Sequence, residues 1–86
     1  MEIQYTKHAE IVLAERGIAK AAIEKLLNQP QQVIKGEGRE EIIQGIFEHG
    51  DEELLLRAIC VKEQGIYKVI TAYWTSKIDK YWKGKR

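Results

Sequence analysis

The stretch Leu54-Leu55-Leu56-Arg57-Ala58-Ile59-Cys60-Val61, followed by the turn signal Gln64-Gly65 and by Ile66-Tyr67-Lys68-Val69-Ile70-Thr71-Ala72-Tyr73-Trp74, reads as two long strands of an antiparallel hairpin. Side chains alternate across a sheet, so Leu54, Leu56, Ala58 and Cys60 share one face of the first strand. Leu55, Arg57, Ile59 and Val61 share the other, and Arg57 is the one charge that interrupts it. In the second strand the same period sets Ile66, Ile70, Ala72 and Trp74 against Tyr67, Val69, Thr71 and Tyr73. The polar-tipped Thr71 and Tyr73 are expected on the face away from the helices.

Toward the N-terminus, Ile42 to Phe47 and Val33-Ile34 supply two further β-favouring runs, divided by the turn signals His49-Gly50-Asp51 and Gly36-Glu37-Gly38. Four antiparallel strands in a meander are therefore expected. Pro30 ends a preceding helical run in which Ala22, Ile23, Leu26 and Leu27 share one face. Before it, Thr6 offers a cap and Gly17 a left-handed stop for a helix over residues 7 to 16. These two helices form a hairpin whose apolar stripe, Ile11, Leu13, Ala14, Ile23, Leu26 and Leu27, needs a sheet to cover. After Trp74, the spacing Ser76-x-x-Asp79 approximates a capping box for a short closing helix with Ile78, Tyr81 and Trp82 on its apolar side, before a frayed Gly84-Lys85-Arg86. The expected fold is one α+β domain over residues 1–86: a helical hairpin on a four-stranded antiparallel sheet with a short C-terminal helix or tail.

The 86 residues, 44% of them hydrophobic, suit a single small core. A net charge of +1 gives no overall pull toward nucleic acid or membrane, but the charge is segregated. Residues 36 to 53 hold Glu37, Glu40, Glu41, Glu48, Asp51, Glu52 and Glu53 against Arg39 alone, whereas residues 68 to 86 hold Lys68, Lys77, Lys80, Lys83, Lys85 and Arg86 against Asp79. The single cysteine, Cys60, permits no intrachain disulfide, no apolar run approaches the roughly 20 residues that span a bilayer, and no signal-peptide pattern follows Met1. A cytoplasmic protein without membrane attachment is the expectation. No glycine-rich phosphate loop, metal-ligand spacing or nucleophile elbow is present, so no metal and no cofactor are expected.

The residues that could carry chemistry each have a plainer reading. His8, in the first turn of the first helix, could act as general base or simply pack at the helix start. Arg16 could hold a phosphate or complement the carbonyl end of its helix. Arg57, inside an apolar strand face, needs a partner carboxylate, an edge position or a bound anion, and Glu40 or Glu41 could be the carboxylate. Thr71 could bind a phosphate oxygen and Tyr73 could donate a proton or stack a base, although both are also good strand formers. Trp74, Tyr81 and Trp82 interleave with Lys77, Lys80 and Lys83 in the way that grips a nucleic-acid backbone, and the same pattern describes an amphipathic closing helix.

The opening His8-Ala9 followed by Glu15-Arg16-Gly17-Ile18, together with the closing Val69-Ile70-Thr71-Ala72-Tyr73, resembles a small uncharacterised bacterial domain family related to the RelE-type and BrnT-type ribonuclease toxins. The resemblance implies a RelE-like architecture and a bacterial toxin-antitoxin role: RNA as ligand, an antitoxin-like protein as partner, and metal-independent RNA cleavage with His8, Arg16, Arg57, Thr71 and Tyr73 as catalytic candidates. Lys77, Lys80, Tyr81, Trp82 and Lys83 would then be RNA-binding. Two positions depart from the pattern. Val12 stands where the H-A-x-x-R motif has arginine, and Thr71-Ala72-Tyr73 stands where BrnT-type strands read S-A-R. The implied activity is accordingly a toxin-like ribonuclease or RNA-binding protein, degenerate if Val12 has cost it catalysis, with a non-catalytic protein-interaction module as the alternative.

Overall fold

A computed structural model describes residues 1–85; Arg86, counted above in the basic C-terminal run, lies outside the described residues. The order is β1 (Glu2–Tyr5), α1 (Lys7–Arg16), α2 (Lys20–Asn28), β2 (Gln32–Lys35), β3 (Glu40–His49), β4 (Glu52–Glu63), β5 (Ile66–Thr75) and α3 (Ile78–Tyr81). The fold is α+β, but the expected four-stranded antiparallel sheet is corrected to a five-stranded mixed one, ordered β1-β5-β4-β3-β2. The meander β2 to β5 is antiparallel as expected, and β1 adds a parallel edge strand, pairing Ile3 with Tyr67 and Tyr5 with Val69. β1 is only four residues long and runs directly into Thr6, the cap of α1, so its Ile3/Tyr5 alternation is too brief to stand out in the sequence.

Local chemistry explains both ends of α1. The Thr6 hydroxyl accepts from the Ala9 amide at 3.0 Å. At the other end Gly17 takes φ 64°, which lets its amide donate to Ala14 and the Ile18 amide donate to Leu13 at 2.9 Å. That double reversal satisfies two orphan carbonyls and turns Ile18 into the core. α1 and α2 pack on one face of the sheet, where Ala9, Leu13, Ile23, Leu26 and Leu27 meet Ile43, Leu56, Ala58, Cys60, Val69 and Ala72. Ile11 is 49% exposed and Ala14 is also exposed; Ala9, Val12 and Leu13 are the buried side of α1, so the expected stripe is rotated by part of a turn. Gly45 permits the close seating of α2 on β3, because a Cβ there would lie 3.1 Å from Leu26 Cδ1 and 3.0 Å from Phe47 Cε2.

In β5 the expected alternation holds only beyond Ile70. Ile59 pairs with Thr71 but Cys60 pairs with Val69, leaving Ile70 as the extra residue of a β-bulge. The bulge exchanges faces, so Tyr67 and Val69 join Ala72 and Trp74 on the helix side, while Thr71 and Tyr73 stay on the opposite one. Period-two reading of a sequence carries no mark of such an insertion.

Both sides of the sheet are closed by side chains where the neighbouring strand stops short. Beyond β1, Arg16 Nη1 donates to the Ala72 carbonyl at 2.7 Å and the Thr6 hydroxyl approaches the Ile70 carbonyl at 3.5 Å. Beyond β2, the Gln31 side-chain amide takes the place of a strand residue, accepting from the Ile46 amide at 2.9 Å and donating to the Ile46 carbonyl at 3.1 Å. The short α3 exists as expected, without the expected capping box: Lys77 is its N-cap residue and makes no side-chain cap bond, and its amide donates instead to the Thr75 hydroxyl.

Leu26 is fully buried between α2 and the sheet, so Leu26→Ala is expected to destabilise the domain by about 2–5 kcal/mol in urea denaturation. Burial, reinforced by the carboxylate of Glu41, pushes the Cys60 thiol from 9.0 up to about 12. The folded chain then keeps a proton that the unfolded chain releases, so stability contributed by the neutral thiol falls as pH rises above about 9. Melting temperatures between pH 8 and pH 11 should fall less steeply in Cys60→Ala than in the parent.

Candidate functional site

The face of the sheet opposite α1 and α2 carries the one buried charge among the described residues. Arg57 sits in the middle of β4, 8% exposed, with Gln44 of β3 directly across on one side and Tyr73 of β5 directly across on the other. Its Nε donates to Gln44 Oε1 at 2.9 Å and its Nη1 to the Tyr73 hydroxyl at 2.6 Å. The Tyr81 ring of α3 covers it, 4.0 Å from guanidinium carbon to ring centroid, and meets the Tyr73 ring edge-on with centroids 6.4 Å apart. None of the ion pairs among the described residues includes Arg57; they join Lys20 to Glu10, Lys35 to Glu41 and Arg39 to Glu63. The carboxylate partner suggested for Arg57, Glu40 or Glu41, is thus replaced by a neutral amide and a phenol.

Gln44 links this cation to the C-terminal segment. Since Arg57 Nε can only donate, the amide oxygen of Gln44 must face it, which directs Nε2 to Gln32 Oε1 at 2.7 Å and to the Tyr81 carbonyl at 3.1 Å. Gln32 in turn donates to the Lys83 carbonyl at 2.7 Å and accepts from the Lys83 amide at 3.1 Å. The chain from Ile78 to Lys83 is thereby tied across β4, β3 and β2. Leu55 and Ile78, buried but separate from the core beneath the helices, anchor the start of that crossing.

The electrostatics of the cluster are cationic. Lys80 Nζ lies 5.2 Å from the Tyr81 ring centroid, and the Tyr81 hydroxyl is made more acidic than an ordinary phenol, first by Lys80 and further by Tyr73 and Arg57, against a desolvation effect of opposite sign. Lys77, Lys80 and Lys83 are exposed, and Trp82 is half-buried. Chemically, a guanidinium with N–H groups beyond the two engaged by Gln44 and Tyr73 suits an oxyanion such as phosphate.

Of the residues singled out by sequence, Arg57, Thr71, Tyr73 and Tyr81 come together on this face, flanked by the lysines. His8 and Arg16 do not. His8 is exposed at the start of α1, the helix packed on the other face, and Arg16 is occupied with the Ala72 carbonyl. The expectation that these two share a cleft with Tyr73 is corrected: α1 and the Thr71/Tyr73 side chains lie on opposite faces of β5. Val12 is 6% exposed, a packing position of α1 rather than a vacated phosphate site. Trp74 is on the helix side too, stacked on His49 at 4.7 Å and edge-on to Phe47, beside a recess of about 200 Å³ between α2 and the sheet end. Sequence reasoning missed Gln44 and Gln32. The signal for Gln44 was the one that exposed Arg57: a polar residue inside an apolar run, here Ile42-Ile43-Gln44-Gly45-Ile46-Phe47.

A family model described as a domain of unknown function, DUF4258, matches residues 5–74, and the chain belongs to that family. No curated protein and no solved structure matches it.

A buried arginine with neutral partners contributes little to folding, whereas a buried arginine deprived of a partner is costly. Gln44→Leu is therefore expected to destabilise by roughly 1.5–3 kcal/mol and Arg57→Met, which orphans the buried Gln44 Oε1, by roughly 1–3 kcal/mol, whereas the double variant Arg57→Met, Gln44→Leu is expected to cost less than the two single changes added together, all read from urea midpoints.

Proposed function

We propose that the chain binds RNA across the second face of its sheet in a toxin-like role. Arg57 takes a backbone phosphate, and the exposed Lys77, Lys80 and Lys83 hold the neighbouring ones. Trp82 stacks an unpaired base beside them, which is how single strands are gripped without a sequence code. The observation that carries this reading is the guanidinium held by an amide and a phenol alone, a cation given hydrogen-bond order without charge neutralisation.

The resemblance to RelE-type and BrnT-type ribonuclease toxins supports the same substrate and an antitoxin-like protein partner. In RNA cleavage by this route, the 2′-hydroxyl gives its proton to water as its oxygen bonds to phosphorus, the bond from phosphorus to the 5′-oxygen breaks, that oxygen leaves with a proton, and a 2′,3′-cyclic phosphate remains. Arg57 would stabilise the charge on the phosphoryl oxygens, Thr71 would steady the backbone, and Tyr73 would protonate the leaving oxygen. His8 lies outside this group, so the face is a binding site first. The protein-interaction alternative has one observation in its favour: Val33, on the outer strand β2, is 49% exposed beside an unpaired strand edge of the kind that accepts a partner's strand.

The test is fluorescence anisotropy with a labelled single-stranded RNA at low salt. Binding should weaken steeply with added salt, be lost in Arg57→Met and in the triple Lys77→Glu, Lys80→Glu, Lys83→Glu variant, and persist in His8→Ala. Equal binding by Arg57→Met and the parent, or none by the parent at low salt, overturns the reading.

A further inference from the structure

The Arg57 site is covered. Arg57 is 8% exposed and the Tyr81 ring rests on its guanidinium, and Tyr81 belongs to the segment from Ile78 to Lys83 that crosses the sheet face. We propose that this segment is a strap that closes the phosphate site and lifts to admit the RNA backbone, with the Gln32 side chain as its latch; the proposal rests on the phosphate reading of Arg57.

Besides that latch, the strap is held by buried Ile78, by the stack of Tyr81 on Arg57 and by the bond from Gln44 to the Tyr81 carbonyl. α3 is a four-residue helix with no side-chain cap, far below the length at which a helix is stable by itself. Its start is anchored by the buried Ile78, and its distal part meets the sheet through the Tyr81 ring and through backbone groups bonded by two glutamine side chains. Gln32 makes two of those three bonds, both to Lys83. Closure also sets Lys80 and Arg57 against the same Tyr81 ring, so like charges oppose the closed state and a polyanion between them would remove the opposition. Hinge and latch are thus separate: Lys77 and Ile78 stay, while Tyr81 to Lys83 move.

Gln32 does not touch Arg57, and in Gln32→Ala the amide of Gln44 loses its bond to Gln32 Oε1 but keeps its oxygen on Arg57 and its nitrogen on the Tyr81 carbonyl. Two readouts separate the strap from the RNA reading. The first is the rate at which the arginine reagent phenylglyoxal modifies Arg57, followed by peptide mass spectrometry, with the exposed Arg39 as internal control. Loss of two net hydrogen bonds should speed Arg57 modification by roughly fivefold or more, with Arg39 unchanged. The second is affinity for the labelled single-stranded RNA, expected to rise several-fold in Gln32→Ala. An unchanged modification rate at Arg57 overturns the strap. Faster modification without tighter RNA binding, in a parent that does bind, overturns its role as a gate. Faster modification with no RNA binding by either protein overturns the phosphate reading, and with it the strap's function, while the occlusion itself is shown.

Discussion

A charge in the middle of the central strand sets the terms for one whole side of this domain. Arg57 lies at the centre of β4, the third of five strands, where both faces of the sheet are removed from water. A guanidinium there requires hydrogen-bond acceptors, and the two positions directly across from it provide them as Gln44 and Tyr73. It also requires a cover, which Tyr81 provides by stacking. Each partner then makes a demand of its own. Gln44 has two amide hydrogens left over, and they are met by Gln32 and by the Tyr81 carbonyl. The position of the C-terminal segment therefore follows from the chemistry of one arginine, passed along two amides.

The helix side follows another rule, packing. Leu26, Ile23 and Leu56 are fully buried there, Gly45 admits α2 to close range, and the only buried side-chain nitrogen or oxygen without a hydrogen-bond partner among the described residues is the Tyr5 hydroxyl. Where strands end early, side chains stand in for the missing ladder: Arg16 and Thr6 at β5, Gln31 at β3. Such closures matter because an exposed edge is a template for another strand. The outer edge of β2, with Val33 exposed, is left without that treatment.

Features set by neighbouring residues were legible in the sequence. Thr6 and Gly17 bound α1, Pro30 ends the helical hairpin, and the alternation of β4 separates Leu56, Ala58 and Cys60 from Arg57, all by interactions within a few residues. Features set by distant pairing were not. β1 has meaning only beside Val69 and Tyr67, and the bulge at Ile70 is a property of the β4–β5 register rather than of the residue. The site divides along the same line. Arg57, Thr71 and Tyr73 could be grouped because they occupy adjacent strands joined by a short turn, whereas grouping His8 with them required knowing on which side of β5 the first helix packs. A resemblance in motif order says nothing about that side.

The arginines then sort themselves by what each side chain has been given. Arg39 is exposed and paired with Glu63, an arrangement worth little in water. Arg16 closes a carbonyl at the edge of β5, a structural task that consumes its donor. Arg57 has neither a carboxylate nor a backbone carbonyl, yet it occupies the position where burial is most costly. Hydrophobic side chains in place of Arg57 and Gln44 together would fill that space at little loss in stability, and the surrounding face, with Leu55, Ile59 and Ile46 adjacent, is already suited to them. A guanidinium retained there, ordered by neutral groups and shielded by a ring on a short strap, is an argument from energetics that its use lies in binding an anion rather than in holding the fold.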